Sequence, residues 1–510
     1  MTTQADYSHR ALERLAFRRQ FFLGSPGPEL PAGWGRLTID GHDDLLVHPD
    51  LEVCQASRGG KSVTLLGYML DPHQPDADNR DIVDGLLARL EDAPAFWRET
   101  AELGGRWALV VHDGRHTVVL HDATGLRTVY YARPGGGYDA ICASQPTLIA
   151  ETLGLKVDED ASSFLAALGD DDCDVYWMPG DASPYADVAC LLPNHYLDLR
   201  TGFAHRYWPD ARLEPVPFGQ GVAESQRLLR GLMASASRRQ ALAVSMTAGW
   251  DSRLMLALSR DLQQDLHCFT LVYPGSEHTR DVRVPAALLE RLDMAHHLVG
   301  FPERPSEAFR AAYQRNIAAG GRPYCRDAQA LYEQYPAGRV CVTGDVAEIV
   351  KCYYQLDTGE PAPVTGRVLA ALAGVPDHAF AVRAFDRWIA DAGPTHVPLL
   401  DLFCWEQFVG RKQALIRSQY DIVHESLAPL NCRRLLETML GIDAKRRCGP
   451  AYELFGRLVR ELWAETLSVP VNPREGTRLK RVFKRTLDSL GFYGRVPESI
   501  KELGRRVLTR

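Results

Sequence analysis

Residues 241–258 constrain the fold of this chain more than any other part of its sequence. Apolar residues 241–243 predict a short buried strand, and apolar residues 254–258 predict the start of a buried helix. A strand that turns through small residues into a helix directs several backbone N–H groups at one point, where the helix dipole adds positive potential. This pattern predicts a phosphate-binding loop at residues 244–253. The alternative is an ordinary strand-to-helix turn with an Asp-Ser cap, since short turn motifs recur by accident.

Composition places the chain among soluble globular enzymes. Its 510 residues, 45% hydrophobic and 24% charged, are enough for two or three domains with sizeable cores. The net charge of −7 argues against a nucleic-acid partner. No apolar run is long enough to span a membrane, and the N-terminus has no apolar signal core. We therefore expect a cytoplasmic protein with no nucleic-acid or membrane partner.

The cysteine pattern leads to the same expectation. The eleven cysteines include no Cys-x-x-Cys pair, several stand in apolar strand-like runs, and their number is odd. This pattern argues against a zinc site and favours reduced, mostly buried thiols.

Residues 1–212 have the pattern of a β domain. Strand-like runs lie at 62–66, 107–111 and 117–120, and helical segments lie near 82–90 and 162–168. Short strands between turn residues predict a layered antiparallel sheet structure. A cluster of prolines just before residue 218 marks the end of this domain.

Residues 213–510 change to long amphipathic helices alternating with short apolar strands. The strand candidates are 242–244, 268–272, 297–299 and 340–342. This alternation predicts parallel βαβ units in a doubly wound sheet, so the fold class is α/β. Beyond about residue 377 the sequence predicts helix almost throughout.

A second strand-to-turn segment, residues 340–348, carries acidic side chains. The ends of neighbouring strands in a doubly wound sheet face one crevice, so we expect Asp251 and Glu348 to converge there. A carboxylate among phosphate-facing donors is costly unless a cation joins it, and carboxylates with phosphates are the usual ligands of Mg²⁺. The sequence therefore predicts Mg²⁺ at these two carboxylates.

Residues 247–252, Thr-Ala-Gly-Trp-Asp-Ser, resemble the Ser-Gly-Gly-x-Asp-Ser pyrophosphate loop of the asparagine synthetase family of ATP pyrophosphatases. Residues 343–348 resemble that family's Ser-Gly-x-Gly-x-Asp-Glu segment, with Glu348 in the place of the metal-binding Asp. Weaker matches follow in the family's order along the chain. They lie at residues 105–108, 122–131, 192–196, 274–281 and 425–431.

The resemblance implies a fold and a change of function. Residues 1–212 would form a glutaminase-like domain of the N-terminal nucleophile type, and residues 213–510 an ATP pyrophosphatase domain with a helical C-terminal part. The family's glutaminases use a cysteine at position 2, where this chain has Thr2, and the first cysteine is Cys54. We also expect helix-like and loop sequence up to about residue 35, whereas a terminal nucleophile should lead straight into the sheet. The N-terminal domain is therefore predicted to be inactive as a glutaminase.

The remaining activity implied by the resemblance is that of an ATP-dependent carbon–nitrogen ligase in specialised metabolism or peptide modification. It would adenylate a carboxylate-bearing substrate, release pyrophosphate and transfer the acyl group to an amine acceptor; a homodimer is compatible with the sequence. Asp251 and Glu348 would hold Mg²⁺, and Asp345 would contact substrate or transfer a proton. Arg474 or Lys480 would replace the family's C-terminal lysine. ATP or pyrophosphate would contact Ser245, Thr247, Ala248, Gly249, Asp251, Ser252, Leu271, Val272, Thr343 and Gly344.

Two alternatives stay open at this point. One is an intramolecular cyclase, such as a lasso-peptide macrolactam cyclase or a β-lactam synthetase, since both relatives also lack the N-terminal cysteine. The other is a catalytically silent binding scaffold. Ala248, Glu348 and the missing lysine favour the scaffold, whereas the preserved Asp251-Ser252 favours activity.

Three further patterns are ambiguous. Residues 59–62, Gly-Gly-Lys-Ser, imitate the end of a phosphate-binding P-loop but run into a strand, so a hairpin turn is the better interpretation. The adjacent His296 and His297 face opposite ways on a strand and are interpreted as core or surface residues. Glu406 and Arg411 either line the substrate pocket or form a structural ion pair.

Overall fold

The computed structural model describes residues 12, 14–25, 27–30, 33–39, 43–133, 140–169, 177–317, 324–354, 363–394 and 396–473. These residues form an α/β protein with two antiparallel sheets and one parallel sheet. In chain order the strands are β1 (Phe21–Leu23), β2 (Gly35–Ile39), β3 (Asp43–Val47), β4 (Val53–Arg58), β5 (Lys61–Leu70), β6 (Gly104–His112), β7 (Thr117–His121), β8 (Tyr130–Ala132), β9 (Ile141–Ala143), β10 (Val188–Cys190), β11 (His195–Asp198), β12 (Phe203–Arg206), β13 (Ala241–Ser245), β14 (His267–Val272), β15 (His296–Gly300), β16 (Arg339–Val342) and β17 (Ser426–Leu427).

Helices cover the outer faces of all three sheets. The α-helices are Asn79–Arg89, Ala93–Glu102, Pro146–Leu153, Glu159–Ala167, Phe218–Arg239, Trp250–Leu258, Arg280–Arg291, Glu307–Asn316, Cys325–Gln334, Gly366–Ala373, Ala379–Ala392, Leu399–Phe403, Ala414–Tyr420, Arg433–Leu440, Ala444–Arg447 and Glu453–Trp463. Tighter 3₁₀ turns lie at Arg260–Leu262, Ala347–Lys351 and Ala464–Ser468, and a π-helix at Cys404–Gln413. The two helices predicted in the N-terminal part are confirmed, and the side chains of Asp78 and Asp158 cap their first turns.

The antiparallel sheets pack face to face, as the layered prediction requires. Their strand orders are β10-β8-β9-β1-β3-β2 and β12-β11-β7-β6-β5-β4. An apolar core that includes Phe21, Val47, Leu66 and Val110 fills the space between them. Helix Asn79–Arg89 covers the other face of the second sheet. Strands β5 and β6 are therefore buried on both faces, which explains their continuous apolar sequence.

The first strand begins earlier in the chain than the sequence pattern predicts. β1 begins at Phe21, within the segment expected to be helix-like and loop, and it pairs with both β3 and β9 in the interior of its sheet. With three residues, this strand is too short to show a periodic pattern. The hairpin interpretation of residues 59–62 is confirmed: β4 and β5 are joined at Gly59 and Gly60, whose φ angles are 59° and 77°.

The parallel sheet has the order β15-β14-β13-β16-β17, so the chain winds outward in both directions from β13. This is the predicted doubly wound arrangement, and all four strand candidates are confirmed. The fifth strand, β17, was missed because it has only two residues and lies in a region expected to be helical. Its pairing with β16 is held by bonds from Cys341 N to Glu425 O, just before β17, and from Thr343 N to Leu427 O.

A buried charge cluster joins the antiparallel sheets to the parallel-sheet region. Arg106 on β6 contacts Asp421 at 2.5 Å and Glu425 at 2.8 Å, and Arg127 contacts Glu425 at 2.7 Å. The hydroxyl of Tyr68 donates to the carbonyl of Ser426 at 2.7 Å. The cluster therefore fixes the segment that forms β17. The division at residue 212 falls between β12 and helix Phe218–Arg239, and as a domain boundary it stays a prediction.

Two cysteines contradict the expectation of reduced thiols. Cys352 and Cys448, 96 residues apart in sequence, form a disulfide with a Cα–Cα distance of 5.3 Å. Sequence spacing gave no indication of the pair, because the fold brings together a 3₁₀ turn and a remote helix. The expectation of mostly buried cysteines is confirmed at Cys142, Cys190, Cys268, Cys341, Cys404 and Cys432. Among the residues described, no helix is both long enough and apolar enough to cross a bilayer.

Candidate functional site

A cleft of about 220 Å³ lies at the carboxyl ends of β13, β14 and β16, the position expected for a ligand site in this type of sheet. Nine of the residues predicted from sequence line it: Ser245, Thr247, Asp251, Ser252, Leu271, Thr343, Gly344, Asp345 and Glu348. Ala248 and Gly249 lie in the loop at its edge, and Val272 ends β14 beside Leu271. Arg474 and Lys480 lie outside the described residues. The structure thus brings most of the predicted site together.

The loop between β13 and helix Trp250–Leu258 already has acceptors for three of its amides. Thr247 N donates to Ser252 Oγ at 3.2 Å, Ala248 N to Asp281 Oδ1 at 3.0 Å, and Gly249 N to Thr247 Oγ1 at 3.3 Å. An anion bound at these amides has to replace the local acceptors, of which the Asp281 carboxylate carries negative charge. The loop is therefore preformed, and its donors are engaged internally.

Ala248 does not narrow the loop on the side of the cleft. Its side chain is fully buried and belongs to the apolar core beneath the loop, together with Met246 and Leu254. The residue is not among those with positive φ, so alanine adopts this backbone without strain. The methyl group that replaces the family's first glycine is consequently compatible with a phosphate site.

The two predicted turns touch at Gly344. A Cβ atom at this position would lie 2.5 Å from the Cβ of Asp251 and 3.0 Å from its carbonyl carbon. Thr343 is held by its bond to β17, and Val346 N donates to Gln413 Oε1 at 3.0 Å. The absence of a side chain at Gly344 is what lets the second turn approach Asp251.

Three carboxylates and Arg417 line this cleft, and Lys351 and Gln413 contact two of the carboxylates from beside it. Lys351 Nζ lies 2.7 Å from both carboxylate oxygens of Asp251. Arg417 Nε lies 2.9 Å from Asp345 Oδ2, and Gln413 Nε2 donates to Glu348 Oε2 at 2.9 Å. Burial, with the neighbouring Asp251 carboxylate and against the opposing effect of Lys351, raises the pKa of Glu348 to about 7. Burial also raises the pKa of Asp251, against the effect of Lys351.

This arrangement does not fit a Mg²⁺ ion on Asp251. Asp251 and Glu348 do face the same cleft, and carboxylates suit that metal. However, the ammonium of Lys351 occupies the position facing both oxygens of Asp251. In the part of the chain that the structure describes, no three His, Cys, Asp or Glu side chains form a group that could hold a metal. Magnesium therefore stays a prediction of the sequence, and the structure supplies a different cation.

The sequence contains one signal that could have placed Lys351 near the site. It stands three residues after Glu348, and in the 3₁₀ turn Ala347–Lys351 residues three apart lie on one face. Arg417 and Gln413 could not have been found in this way. They come from the π-helix and the helix that follows it, whose position depends on the whole fold.

The ambiguous residues prove to be structural and lie outside this cleft. Glu406 is fully buried and accepts hydrogen bonds from Arg206, Asn194 and Trp388. Arg411 instead donates to the backbone carbonyl groups of Met178 and Ala182. The two side chains thus form neither the expected pocket nor the expected ion pair.

The adjacent histidines contact other side chains of the sheet region. His296 Nε2 lies 2.9 Å from Thr270 Oγ1, and the His297 ring stacks on that of His267 with centroids 4.0 Å apart. These contacts agree with their interpretation as structural residues.

His424 is expected to contribute to a loss of stability in acid. Burial, with the nearby Arg417 and Arg19 guanidinium groups, lowers the pKa of His424 from its ordinary 6.5 to about 3. The unfolded chain takes up a proton below pH 6.5 that the folded chain refuses, so stability falls as the pH drops from about 6.5 towards 3. Between pH 7 and pH 5 we expect the wild type to lose about 2 kcal/mol more than His424→Gln in urea unfolding.

His116→Gln is the matched control for that measurement, since His116 is half exposed on a hairpin. Its stability should follow the wild type at both pH values. An equal acid sensitivity of His424→Gln and the wild type would contradict the assignment.

Two larger cavities contain none of the predicted site residues. One of about 730 Å³ is lined by Tyr131, Asp181 and Arg383, among others. Another, of about 490 Å³, lies between the antiparallel and parallel sheets and includes Tyr68 and Glu425. The cleft at the ends of the parallel strands is smaller than these cavities, but its charged side chains and its position at the strand ends make it the better candidate for the functional site.

Comparisons with known proteins leave the function to be argued from the site. No protein-family profile matches the chain, and no curated protein matches its sequence. Among solved structures, a B. subtilis glutamine phosphoribosylpyrophosphate amidotransferase complexed with ADP and GMP is 10% identical and aligns over 72% of this chain and 84% of its own, with a TM-score of 0.23. A glutamine-dependent NAD⁺ synthetase from Acinetobacter baumannii, in complex with ADP, is 12% identical over 78% and 86%, with a TM-score of 0.20. Such low scores carry no argument about activity.

Proposed function

We propose that this protein is an ATP-dependent carbon–nitrogen ligase that activates a substrate carboxylate by adenylation. The observation that carries the proposal is the meeting of two strand-end turns, residues 245–252 and 343–348, in one cleft. Arg417 lines this cleft, and Lys351 contacts Asp251 in its lining. Backbone amides at a helix start and cations at the same point are suited to a polyphosphate. The resemblance of both turns to the asparagine synthetase family supports the reaction type.

The proposed reaction has two steps. A substrate carboxylate oxygen attacks the α-phosphorus of ATP, the bond to the β-phosphate oxygen breaks, and pyrophosphate leaves. An amine nitrogen then attacks the acyl carbon, AMP leaves with the bonding electron pair, and the amine loses a proton. The loop amides and the Ser252 hydroxyl would hold the pyrophosphate, and the backbone at Leu271 and Val272 would border the adenine.

We propose Arg417 as the cation that meets the reacting end of the substrates. It lies beside Asp345 in the cleft and would bind the α-phosphate or the substrate carboxylate. Asp345 holds this guanidinium, so we assign it substrate positioning in preference to proton transfer. Arg474 and Lys480 stay candidates for the acceptor step on the strength of the sequence alone.

The amine is proposed to come from a source other than glutamine hydrolysis. Thr2 replaces the nucleophilic cysteine of the related glutaminases, and Cys54, on β4, is part of the sheet. The antiparallel sheets would then act as a scaffold that fixes β17 and its flanking residues through Arg106 and Arg127.

A silent scaffold is the second candidate function, and one observation favours it. The loop amides and Asp251 are already engaged by Asp281, Ser252 and Lys351, as expected for a site that has lost its ligand. Against it, Ala248 is buried in the apolar core and is not part of the cleft lining, so its methyl group does not obstruct a ligand.

ATP binding and ATP–pyrophosphate exchange with a mixture of candidate carboxylates test the proposal. We expect the wild type to bind ATP and catalyse exchange. Asp251→Ala should lower both by about tenfold or more, since it removes the charge-assisted contact that orients the Lys351 ammonium. Asp261→Asn, an exposed carboxylate beyond the same helix, is the control and should leave both unchanged. ATP binding without exchange would favour the scaffold, and equal activity of the three proteins would refute the site.

A further inference from the structure

We propose that Lys351 is a resident phosphate-binding cation, which takes at Asp251 the place of a metal ion. The inference rests on the proposed function and names the group that receives the polyphosphate. The Lys351 ammonium lies 2.7 Å from each oxygen of Asp251, and the side chains are 14% and 30% exposed. Asp251 lines the cleft, and Lys351 lies against it with part of its side chain exposed, so a ligand at the edge of the cleft can reach the pair.

The lysine has a hydrogen bond available for such a ligand. An ammonium carries three N–H donors, and the two bonds to Asp251 use two of them. The ammonium also lies over the Phe455 ring, 5.5 Å from its centroid, and the third N–H is left for a phosphate oxygen beside Asp251. Asp251 orients the ammonium, and the ammonium neutralises the charge of Asp251. A polyanion near the pair can then accept a hydrogen bond from the ammonium without meeting an unpaired carboxylate.

An independent observation also points to a ligand in this cleft. Thr343 lines the same cavity and is only 6% exposed, yet its hydroxyl has no hydrogen-bond partner among the described residues. A buried hydroxyl without a partner costs free energy, and a phosphate oxygen would supply the missing acceptor. Thr343 stands at the start of the segment that ends at Lys351. Thr343 lines the cavity, and Lys351 contacts Asp251, which lines it as well.

The backbone that carries Lys351 is fixed on both sides. Val346, before the 3₁₀ turn, donates to Gln413, and Arg447 Nη1 donates to the carbonyl of Val350 at 3.1 Å. Cys352, the next residue, is joined to Cys448. The stem of the lysine is therefore held before a ligand arrives, which lowers the entropy lost on binding.

Binding of inorganic pyrophosphate, measured by calorimetry with excess EDTA and again with Mg²⁺, tests this role. We expect the wild type to bind pyrophosphate in EDTA, and Lys351→Met to lower that affinity by about tenfold or more. Lys351→Arg should retain most of it, because the charge remains. Lys445→Met, which removes an exposed lysine from the helix next to the disulfide, is the matched control and should behave as the wild type.

A second variant distinguishes a loss of pyrophosphate binding from a loss of folding. Thermal unfolding reports whether Lys351→Met leaves Asp251 without its counter-charge and unfolds the protein. The double variant Lys351→Met with Asp251→Asn removes that unpaired charge, and we expect it to fold and still fail to bind pyrophosphate in EDTA. Full binding by the double variant would overturn the proposal.

The outcomes also separate this inference from the proposed function. Binding that requires Mg²⁺ in the wild type, with equal affinity in Lys351→Met, would overturn the role of Lys351 and leave the ligase intact. The absence of both pyrophosphate and ATP binding, with or without Mg²⁺, would overturn both. Metal-independent binding that depends on Lys351 supports the assignment, whichever carboxylate the enzyme activates.

Discussion

Replacing Arg106 with methionine is expected to lower the free energy of unfolding by about 3–5 kcal/mol. Arg106 is buried, with 2% of its side chain exposed, and it contacts both Asp421 and Glu425. Removing the guanidinium leaves two buried carboxylates to Arg127, at 3.8 Å from Asp421 and 2.7 Å from Glu425, and to the weaker electrostatic effect of Arg19. An uncompensated buried charge is among the most destabilising changes known.

Urea unfolding of the purified variant measures this loss. Arg457→Met is the control, because Arg457 pairs with Glu461 on a helix surface and 55% of its side chain is exposed. Surface pairs contribute about 1 kcal/mol or less. Adding Asp421→Asn to Arg106→Met should recover part of the stability, since one unpaired charge disappears. Equal losses at positions 106 and 457 would show that the cluster does not hold the two parts together.

The substitution Gly344→Ala is expected to lower ATP–pyrophosphate exchange by about a hundredfold, and ligand binding with it, because a misplacement near 1 Å in a reactive site can cost that much in rate. The new methyl group would lie 2.5 Å from Asp251 Cβ, and the main chain of Asp251 is too close to give way. Either the second turn or the start of helix Trp250–Leu258 has to move. Overpacking should also cost about 1–3 kcal/mol of stability.

Gly249→Ala is the matched comparison in the neighbouring turn. A Cβ atom at Gly249 would meet only Thr247 Oγ1, at 3.4 Å, and its φ of −80° is open to alanine. Binding by this variant should change by less than about tenfold, with a small loss of stability because glycine is the better helix cap. If both variants bind ligand equally well, close contact between the two turns is not needed for the site.

The parts of the fold that sequence predicted are those with a local physical cause. β13 to β16 are short segments rich in apolar residues, each near a helix pattern, and the two turns of the cleft directly follow β13 and β16. β1 and β17, with three and two residues, carry too little pattern to be recognised. They exist because neighbouring strands offer them hydrogen-bond partners.

The same division holds within the site. Asp251 and Glu348 could be placed in one crevice, since the ends of adjacent parallel strands meet. Arg417 reaches Asp345 from a helix about seventy residues later along the chain, and no local rule links the two positions. Lys351 could have been predicted from its spacing to Glu348, but a metal ion was expected at Asp251, and so no second cation was predicted there.

The disulfide between Cys352 and Cys448 has a topological consequence. It closes a covalent ring around the segment that supplies Arg417, His424 and Glu425, together with β17. One wall of the cleft is therefore a cyclic unit, and a single backbone cut inside it would leave both fragments attached to the rest of the chain. Lys351 stands immediately outside this ring, at the point where the closed wall joins the turn that faces the phosphate loop.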